Sequence, residues 1–226
     1  VFDACSAPTA ASSIASRHAA TTADGIVRLL DACVALGLLT KDEGAYSNTP
    51  LAASFLKSDA PKSLAGYAVH SSRVIWPLWS QLQSGVLENS NRWQAAFGKS
   101  QGEIFNNYYG DRDGKLRFMK AMHSHGSQSS PVIAKAFCLA HYKHLVDLGG
   151  STGHLAAAVL HAYPSLVATV CELPDIVPLA QEIMQEDPGM SPLAKSGRLR
   201  VTAGSFFDDD LTTVFADATP KPDVFA

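Results

Sequence analysis

The residues best suited to chemistry in this sequence are Asp147, the glycines Gly149, Gly150 and Gly153, and Glu172, which stands 19 residues beyond the last glycine. Glycines let a chain turn sharply and bring its backbone against a ligand. A carboxylate about 20 residues further on, at the end of the next strand, can reach the ribose hydroxyls of a nucleoside held over that turn. The run His144-Leu-Val-Asp-Leu-Gly-Gly-Ser-Thr-Gly-His154 has neither the Gly-Lys-Ser/Thr ending of a phosphate-gripping loop nor the G-x-G-x-x-G of dinucleotide binders, so a phosphate ligand is not indicated. Asp147, just ahead of the turn, suits a ligand that carries positive charge near the strand end. The ammonium or sulfonium of S-adenosylmethionine fits that description. A glycine turn that holds no ligand is the plain alternative, and Glu172 at ribose spacing counts against it.

These residues need strands and helices to hold them. Leu145 to Leu148 read as a short buried strand and a helix runs from His154 to Ala162. Then come a strand from Val167 to Glu172, a helix from Asp175 to Met184, a strand from Leu199 to Ala203, and a last strand from Asp223 onward. Alternation of this kind means a parallel sheet with helices on its faces, and such sheets bind ligands at the carboxyl ends of their strands. Asp147 with Gly149, Glu172, and Gly204 with Ser205 all fall at such ends. Ahead of the first strand, Gln101 to Tyr109 and Gly114 to His125 read as helices, and Ser130-Pro131 starts another that ends near Cys138. These helices are expected over the glycine turn.

The amino-terminal part follows a different plan. Ser12 to His18 is helical, and Thr21-x-x-Asp24 caps a second helix whose Ile26, Leu29, Leu30 and Cys33 recur at helical spacing before Gly37. Leu38 to Thr40 and Tyr46 to Asn48 flank the turn Lys41 to Gly44. That order predicts a winged helix. Thr49-Pro50 caps a helix through Leu56, and Ser63 opens a long one toward Ser84, kinked near Pro77, with Trp76 and Trp79 expected in the core. A polar link at Leu87 to Asn91 divides the chain into residues 1–90 and 91–226. The fold class is therefore α/β: a Rossmann-like parallel-sheet domain, incomplete at its carboxyl end, preceded by a mainly helical winged-helix-like domain.

Charge and composition exclude several functions. With 18 Lys and Arg against 21 Asp and Glu, and the cations scattered, no footprint for nucleic acid or an anionic membrane is present. A recognition helix over Asp24 to Leu36 would offer only Arg28, against Asp24 and Asp31, so DNA binding is not expected. No apolar run approaches the roughly 20 residues that span a bilayer. Cys5, Cys33, Cys138 and Cys171 are far apart, and three of them sit in apolar patterns. Buried free thiols and a reducing, cytoplasmic setting are expected. His123-x-His125 and His141-x-x-His144 have ligand-like spacing but no matching Cys or carboxylate, so no metal is expected. The chain opens on Val1 and closes on an apolar run that reads as a strand cut short, so it is expected to be a piece of a longer protein.

Val146-Asp-Leu-Gly-Gly-Ser-Thr-Gly153, Glu172-Leu-Pro174 and Ala203-Gly-Ser-Phe-Phe207 resemble three successive signature stretches of the small-molecule O-methyltransferases, the plant-type phenolic and hydroxyindole enzymes that use S-adenosylmethionine. Tyr46-Ser-Asn-Thr49, Glu103-Ile-Phe105 and Leu116-Arg-Phe-Met119 extend the likeness over nearly the whole chain. The resemblance implies a methyl transfer to a small hydroxylated aromatic and a homodimer joined through the amino-terminal domain. It also implies cofactor contacts from Asp147, Gly149, Gly150, Gly153, Glu172, Gly204, Ser205, Phe206 and Tyr109, with Phe118, Met119 and Met122 near the cofactor and substrate. The family's general base is a His in a His-Asp-Trp stretch after the strand that begins here at Asp223. Nothing in the 226 residues matches it, no catalytic residue is assigned, and these residues alone are expected to be inactive. Ser151 and Ser205 stand where the family usually has Gly and Asp. Those departures keep open a non-catalytic, cofactor-binding relative, while the missing G-x-G-x-x-G opposes a nicotinamide-dependent oxidoreductase.

Overall fold

A computed structural model describes residues 1–19, 22–98 and 110–226. They form two compact units, Val1–Val69 and His70–Ala226. Residues 70–90, grouped with the first domain on composition, therefore run within the second unit.

In the first unit a short strand β1 (Thr9–Ala10) leads into α1 (Ala11–Arg17) and α2 (Asp24–Ala35), followed by a hairpin of β2 (Leu39–Asp42) and β3 (Ala45–Asn48). The hairpin turn is tighter than expected. Glu43 and Gly44 both take positive φ, 45° and 82°, the conformation of a two-residue turn that matches strand twist. β1 adds to the far side of β3, giving the antiparallel order β1-β3-β2. Leu30 and Cys33 of α2 are buried with Cys5, Ile14, Leu39 and Tyr46, and Ile26 packs against them, whereas Leu29, expected on the same face, is 48% exposed. Asp31, one of the acids weighed against DNA binding, accepts hydrogen bonds from Lys41 Nζ and Tyr46 Oη, both at 2.7 Å. Thr49 Oγ1 accepts the Ala52 N–H at 3.3 Å and Pro50 takes the first turn of α3 (Pro50–Phe55).

The long helix expected from Ser63 to Ser84 is broken into pieces: α4 (Ala65–His70), a π-helical turn (Ser71–Ile75), α5 (Trp76–Trp79) and α6 (Leu82–Glu88). Pro77 has no N–H to give the preceding turn, and the wider π turn sits directly before it. Trp76 and Trp79, expected in the core, are 76% and 62% exposed among the described residues. Aromatic size predicted burial, but burial needs a partner element that helical spacing does not supply. α7 (Trp93–Phe97) follows.

Next comes α8 (Arg112–Ala136), one 25-residue helix where the sequence predicted two. Pro131 lies inside it and removes a single backbone hydrogen bond. α8 packs along α9 (His154–Ala162) with Met119, Ala121, Gly126, Ser130 and Ala134 buried, and that packing carries the helix through the proline.

The sheet has the order β6-β5-β4-β7, all parallel, from β4 (His144–Leu148), β5 (Val167–Glu172), β6 (Leu199–Ala203) and β7 (Val224–Phe225). α9 connects β4 to β5, and α10 (Val177–Glu186) with α11 (Ser191–Lys195) connects β5 to β6; α12 (Leu211–Val214) precedes β7. β4 is buried along nearly its whole length, as a strand covered on both faces must be. Leu145, Ala156, Leu160, Val170, Ala180, Met184 and Leu199 fill the core on the α9 and α10 side. His144, fully buried, bonds the Pro220 carbonyl through Nδ1 at 2.7 Å and Thr169 Oγ1 through Nε2 at 2.9 Å, which satisfies it as a structural residue.

Candidate functional site

Register brings three strand ends to one edge, because Leu148 lies opposite Cys171 and Glu172 opposite Ala203. The loops leaving them are tied by backbone bonds, Gly149 N–H to the Cys171 carbonyl at 2.8 Å and Gly204 N–H to the Glu172 carbonyl at 2.9 Å. A cavity of about 540 Å³ opens there. Asp147, Gly149, Gly150, Glu172, Gly204, Ser205 and Phe206 line it, and α8 closes it with Lys115, Phe118, Met119 and Met122. Gly153 lies just outside, at the turn into α9. Tyr109 falls outside the described residues.

Two of the glycines are required by sterics. A side chain at Gly150 would place its Cβ 2.4 Å from Asp147 Cγ, so the carboxyl group is seated where that side chain would be. At Gly153, φ is +78° and a Cβ would stand 2.5 Å from Met184 Cε in the core. Between them Ser151, not a glycine, adopts φ 51°. A left-handed conformation costs a residue with a side chain about 1 kcal/mol or more and persists where the surroundings impose it. Here the Ser151 N–H donates to Glu172 Oε1 at 2.9 Å, and Glu172 Oε2 accepts the Leu173 N–H at 3.0 Å. Glu172 thus seats the turn, and the carboxylate keeps spare lone pairs for hydroxyls entering the cavity.

Asp147 is 6% exposed, and its Oδ2 has no hydrogen-bond partner among the described residues. Burial, with a smaller contribution from the neighbouring Glu172 charge, pushes its carboxyl up to about 6, opposed by the Ala156 amide. The site therefore holds a poorly compensated negative charge at neutral pH. A cationic ligand in the cavity would relieve it.

Ser205 is already engaged. Its hydroxyl donates to Asp208 Oδ2 at 2.7 Å and accepts the Asp208 N–H at 3.2 Å, while its own N–H donates to Asp209 Oδ2 at 2.7 Å. Phe206 is half-exposed against Phe207, with ring centroids 4.5 Å apart, and offers a flat apolar surface at the mouth.

Three contributors were not assigned to the cofactor site from sequence, although His123 stands in the ligand-spaced pair His123-x-His125. His154 lines the cavity with Nδ1 on Ser130 Oγ at 2.8 Å, and its ring occupies the space above Gly126, 2.3 Å from where a Cβ there would stand. Burial, aided by His123 and His125 nearby, pushes it down to about 4, so at neutral pH it is an uncharged ring and a poor proton acceptor. Lys115 pairs with Asp175 at the rim. His123, on α8, meets Thr152 in the glycine turn at 2.9 Å. Only the place of His154 directly after Gly153 hinted at any of these; the other pairs join residues far apart in sequence.

A glycine turn after one strand, a carboxylate ending the next, and an apolar wall from a crossing helix define a Rossmann-like α/β protein, a class that binds its ligands at such strand ends. The chain belongs to the O-methyltransferase family: residues 79–220 match its O-methyltransferase domain and residues 1–58 its O-methyltransferase dimerisation domain. It is 38% identical over 206 residues to a human protein described as a probable bifunctional dTTP/UTP pyrophosphatase/methyltransferase protein, covering 91% of this chain and 32% of that one. It is 32% identical over 195 residues to chicken (Gallus gallus) acetylserotonin O-methyltransferase, covering 84% of this chain and 54% of that one. The crystal structure of human N-acetylserotonin methyltransferase in complex with SAM matches with a TM-score of 0.80 at 28% identity, covering 92% of this chain and 59% of that one. The chain thus spans about half the length of its acetylserotonin-methylating relatives.

Proposed function

We propose that the protein containing this chain transfers a methyl group from S-adenosylmethionine to a hydroxyl of a small aromatic acceptor, acetylserotonin-like or phenolic, and works as a homodimer in the cytoplasm. The observation that carries this reading is the joint placement of Glu172 and the Gly149–Gly150 turn around one cavity, over a buried carboxyl at Asp147 that has an oxygen without a partner among the described residues. The relatives' names and the dimerisation-domain match support the reaction and the dimer. Among the described residues no helix is long and apolar enough to cross a membrane.

The residues present fit the cofactor. Glu172 would accept the ribose hydroxyls with the lone pairs it does not use on Ser151 and Leu173. Asp147 would lower the energy of positive charge through space rather than by contact, since its carboxyl lies beneath Gly150. Gly149, Gly150 and Gly204 would let backbone approach the ligand, with Gly153 holding the turn behind them; Phe206 would cover the adenine and Ser205 would flank it, and the family resemblance adds Tyr109, which lies outside the described residues, as a further cofactor contact. Phe118, Met119 and Met122 form an apolar wall suited to a flat acceptor. When bound, S-adenosylmethionine supplies a methyl group on a sulfonium, open to in-line displacement by an oxygen nucleophile. A phenol must lose its proton on the way, and His154, held near 4, is not the group to take it.

Calorimetry on the full-length protein tests the cofactor, and a methylation screen tests the acceptor. Binding of S-adenosylmethionine but not NAD, with turnover of N-acetylserotonin or a simple phenol, is the expected outcome. Transfer only to aliphatic or nucleic-acid acceptors would overturn the substrate class, and failure to bind S-adenosylmethionine would overturn the reading altogether.

A further inference from the structure

The glycine turn is restrained from two different elements. Glu172, on β5, holds the Ser151 N–H. The next residue, Thr152, is 0% exposed, and its hydroxyl meets Nδ1 of His123 on α8 at 2.9 Å. The other ring nitrogen of His123, Nε2, lies 3.7 Å from Asp187 Oδ2. Asp187 is itself anchored, since its Oδ1 accepts the N–H groups of Gly189 and Met190 at 2.8 and 2.9 Å. At 3.7 Å the Asp187 carboxylate makes no hydrogen bond to Nε2; its charge acts through space to favour hydrogen on that nitrogen, which leaves Nδ1 as a lone-pair acceptor for the Thr152 hydroxyl.

Acid, imidazole and hydroxyl in this order is how hydrolases prepare a nucleophile. Thr152 is sealed from solvent and does not line the cavity, so attack is excluded and holding remains. The backbone that it holds includes the costly residue of the turn, Ser151 at φ 51° immediately before it, and Gly153 at φ 78°, a conformation glycine takes freely, immediately after. A buried hydroxyl with one fixed acceptor is well suited to keep such a segment in a single conformation.

We propose that His123 is a positioning residue for the cofactor: through Thr152 it locks residues 151–153 in the conformation that receives S-adenosylmethionine, with Asp187 selecting the tautomer that does so. The proposal rests on the cofactor reading above. His123 is absent from the cavity lining, so it acts on binding without touching the ligand.

The test uses the full-length protein, with S-adenosylmethionine affinity read by calorimetry and amide exchange of residues 151–153 read without ligand. His123→Phe keeps a ring and removes the acceptor, His123→Asn restores a hydrogen-bonding group near Nδ1, and Thr152→Val removes the hydroxyl at similar volume. Loss of one such bond is expected to weaken Kd about three- to tenfold for His123→Phe and for Thr152→Val, with the double variant no weaker than either and His123→Asn recovering part of the loss. Exchange in the turn should quicken in the same variants. A lower Tm with unchanged affinity, or losses that add in the double variant, would mean that His123 only fills space and would overturn the proposal. If the wild type bound no S-adenosylmethionine, the cofactor reading would fail by itself. Exchange would still decide the lock, faster turn amides in His123→Phe supporting it and unchanged ones ending it.

Discussion

Glu172 reaches from the end of β5 to the turn after β4 and takes the Ser151 N–H at 2.9 Å, so the carboxylate proposed to hold the ribose is also the one that holds the cofactor loop in shape. In the proposed site, ligand recognition and loop conformation are coupled in one side chain. Substitutions at Glu172 therefore have two separable effects.

Glu172→Ala removes both, and charge-assisted hydrogen bonds are typically worth about 1.5–3 kcal/mol, so S-adenosylmethionine affinity should fall on the order of tenfold or more. Glu172→Gln keeps an oxygen for the Ser151 N–H, but it loses the charge and sets its NH2 against the Leu173 N–H that Oε2 accepts. Its Tm and its affinity should both fall to values between those of wild type and Glu172→Ala. Calorimetry and thermal melts on the two variants check this, and equal affinities in Glu172→Ala and wild type would remove Glu172 from the site.

Asp147 should make S-adenosylmethionine affinity depend on pH. Its folded pKa, about 6, lies above the ordinary 3.8, so its contribution to stability is complete below pH 3.8 and is lost as pH rises through 6. At neutral pH the buried charge costs on the order of 3 kcal/mol, some of which a bound cation recovers. Affinity for S-adenosylmethionine should therefore rise between about pH 5 and about pH 7.5, and the rise should flatten in Asp147→Asn. Over the same range, in the absence of ligand, the Tm of the Asp147→Asn variant should move upward relative to that of the wild type. A parallel pH profile in both proteins would show that Asp147 does not titrate against the ligand.

Gly150→Ala drives a methyl group into the buried Asp147 carboxyl, 2.4 Å from Cγ. Overpacking of this kind costs about 1–3 kcal/mol, and cofactor affinity should fall with it. Combining Gly150→Ala with Asp147→Ala should restore much of the stability. Additive losses in the double variant, measured by denaturant titration, would contradict the packing described.

Gly126→Ala should act at a distance from any ligand group, since its Cβ would enter the His154 ring and push that ring toward the cavity. Lower Tm and weaker binding are expected, both relieved when His154→Ala is added. His154 carries a pH signature too. Its folded pKa, about 4, lies below the ordinary 6.5, so stability is complete above 6.5 and declines as pH falls toward 4. His154→Gln should flatten that acid limb in a series of thermal melts.

What the sequence determined by itself is local. β4, the glycine turn and the carboxylate ending β5 were legible because buried parallel strands are continuous apolar runs and because only certain residue types take the conformations of a ligand-holding turn. Most of the α2 face, Leu29 excepted, the Thr49-Pro50 cap and the hairpin were legible for the same reason: each depends on neighbours within a few residues. Tertiary structure decided the rest. α8 runs through Pro131 because packing against α9 outweighs one lost backbone bond, which no local signal weighs. Trp76 and Trp79 lie exposed because burial is a property of the surface that meets a side chain, not of the side chain. His123 with Thr152, His154 with Gly126, and Lys115 with Asp175 become site residues only when α8 is laid over the strand ends, because each pair joins positions that the chain itself keeps tens of residues apart.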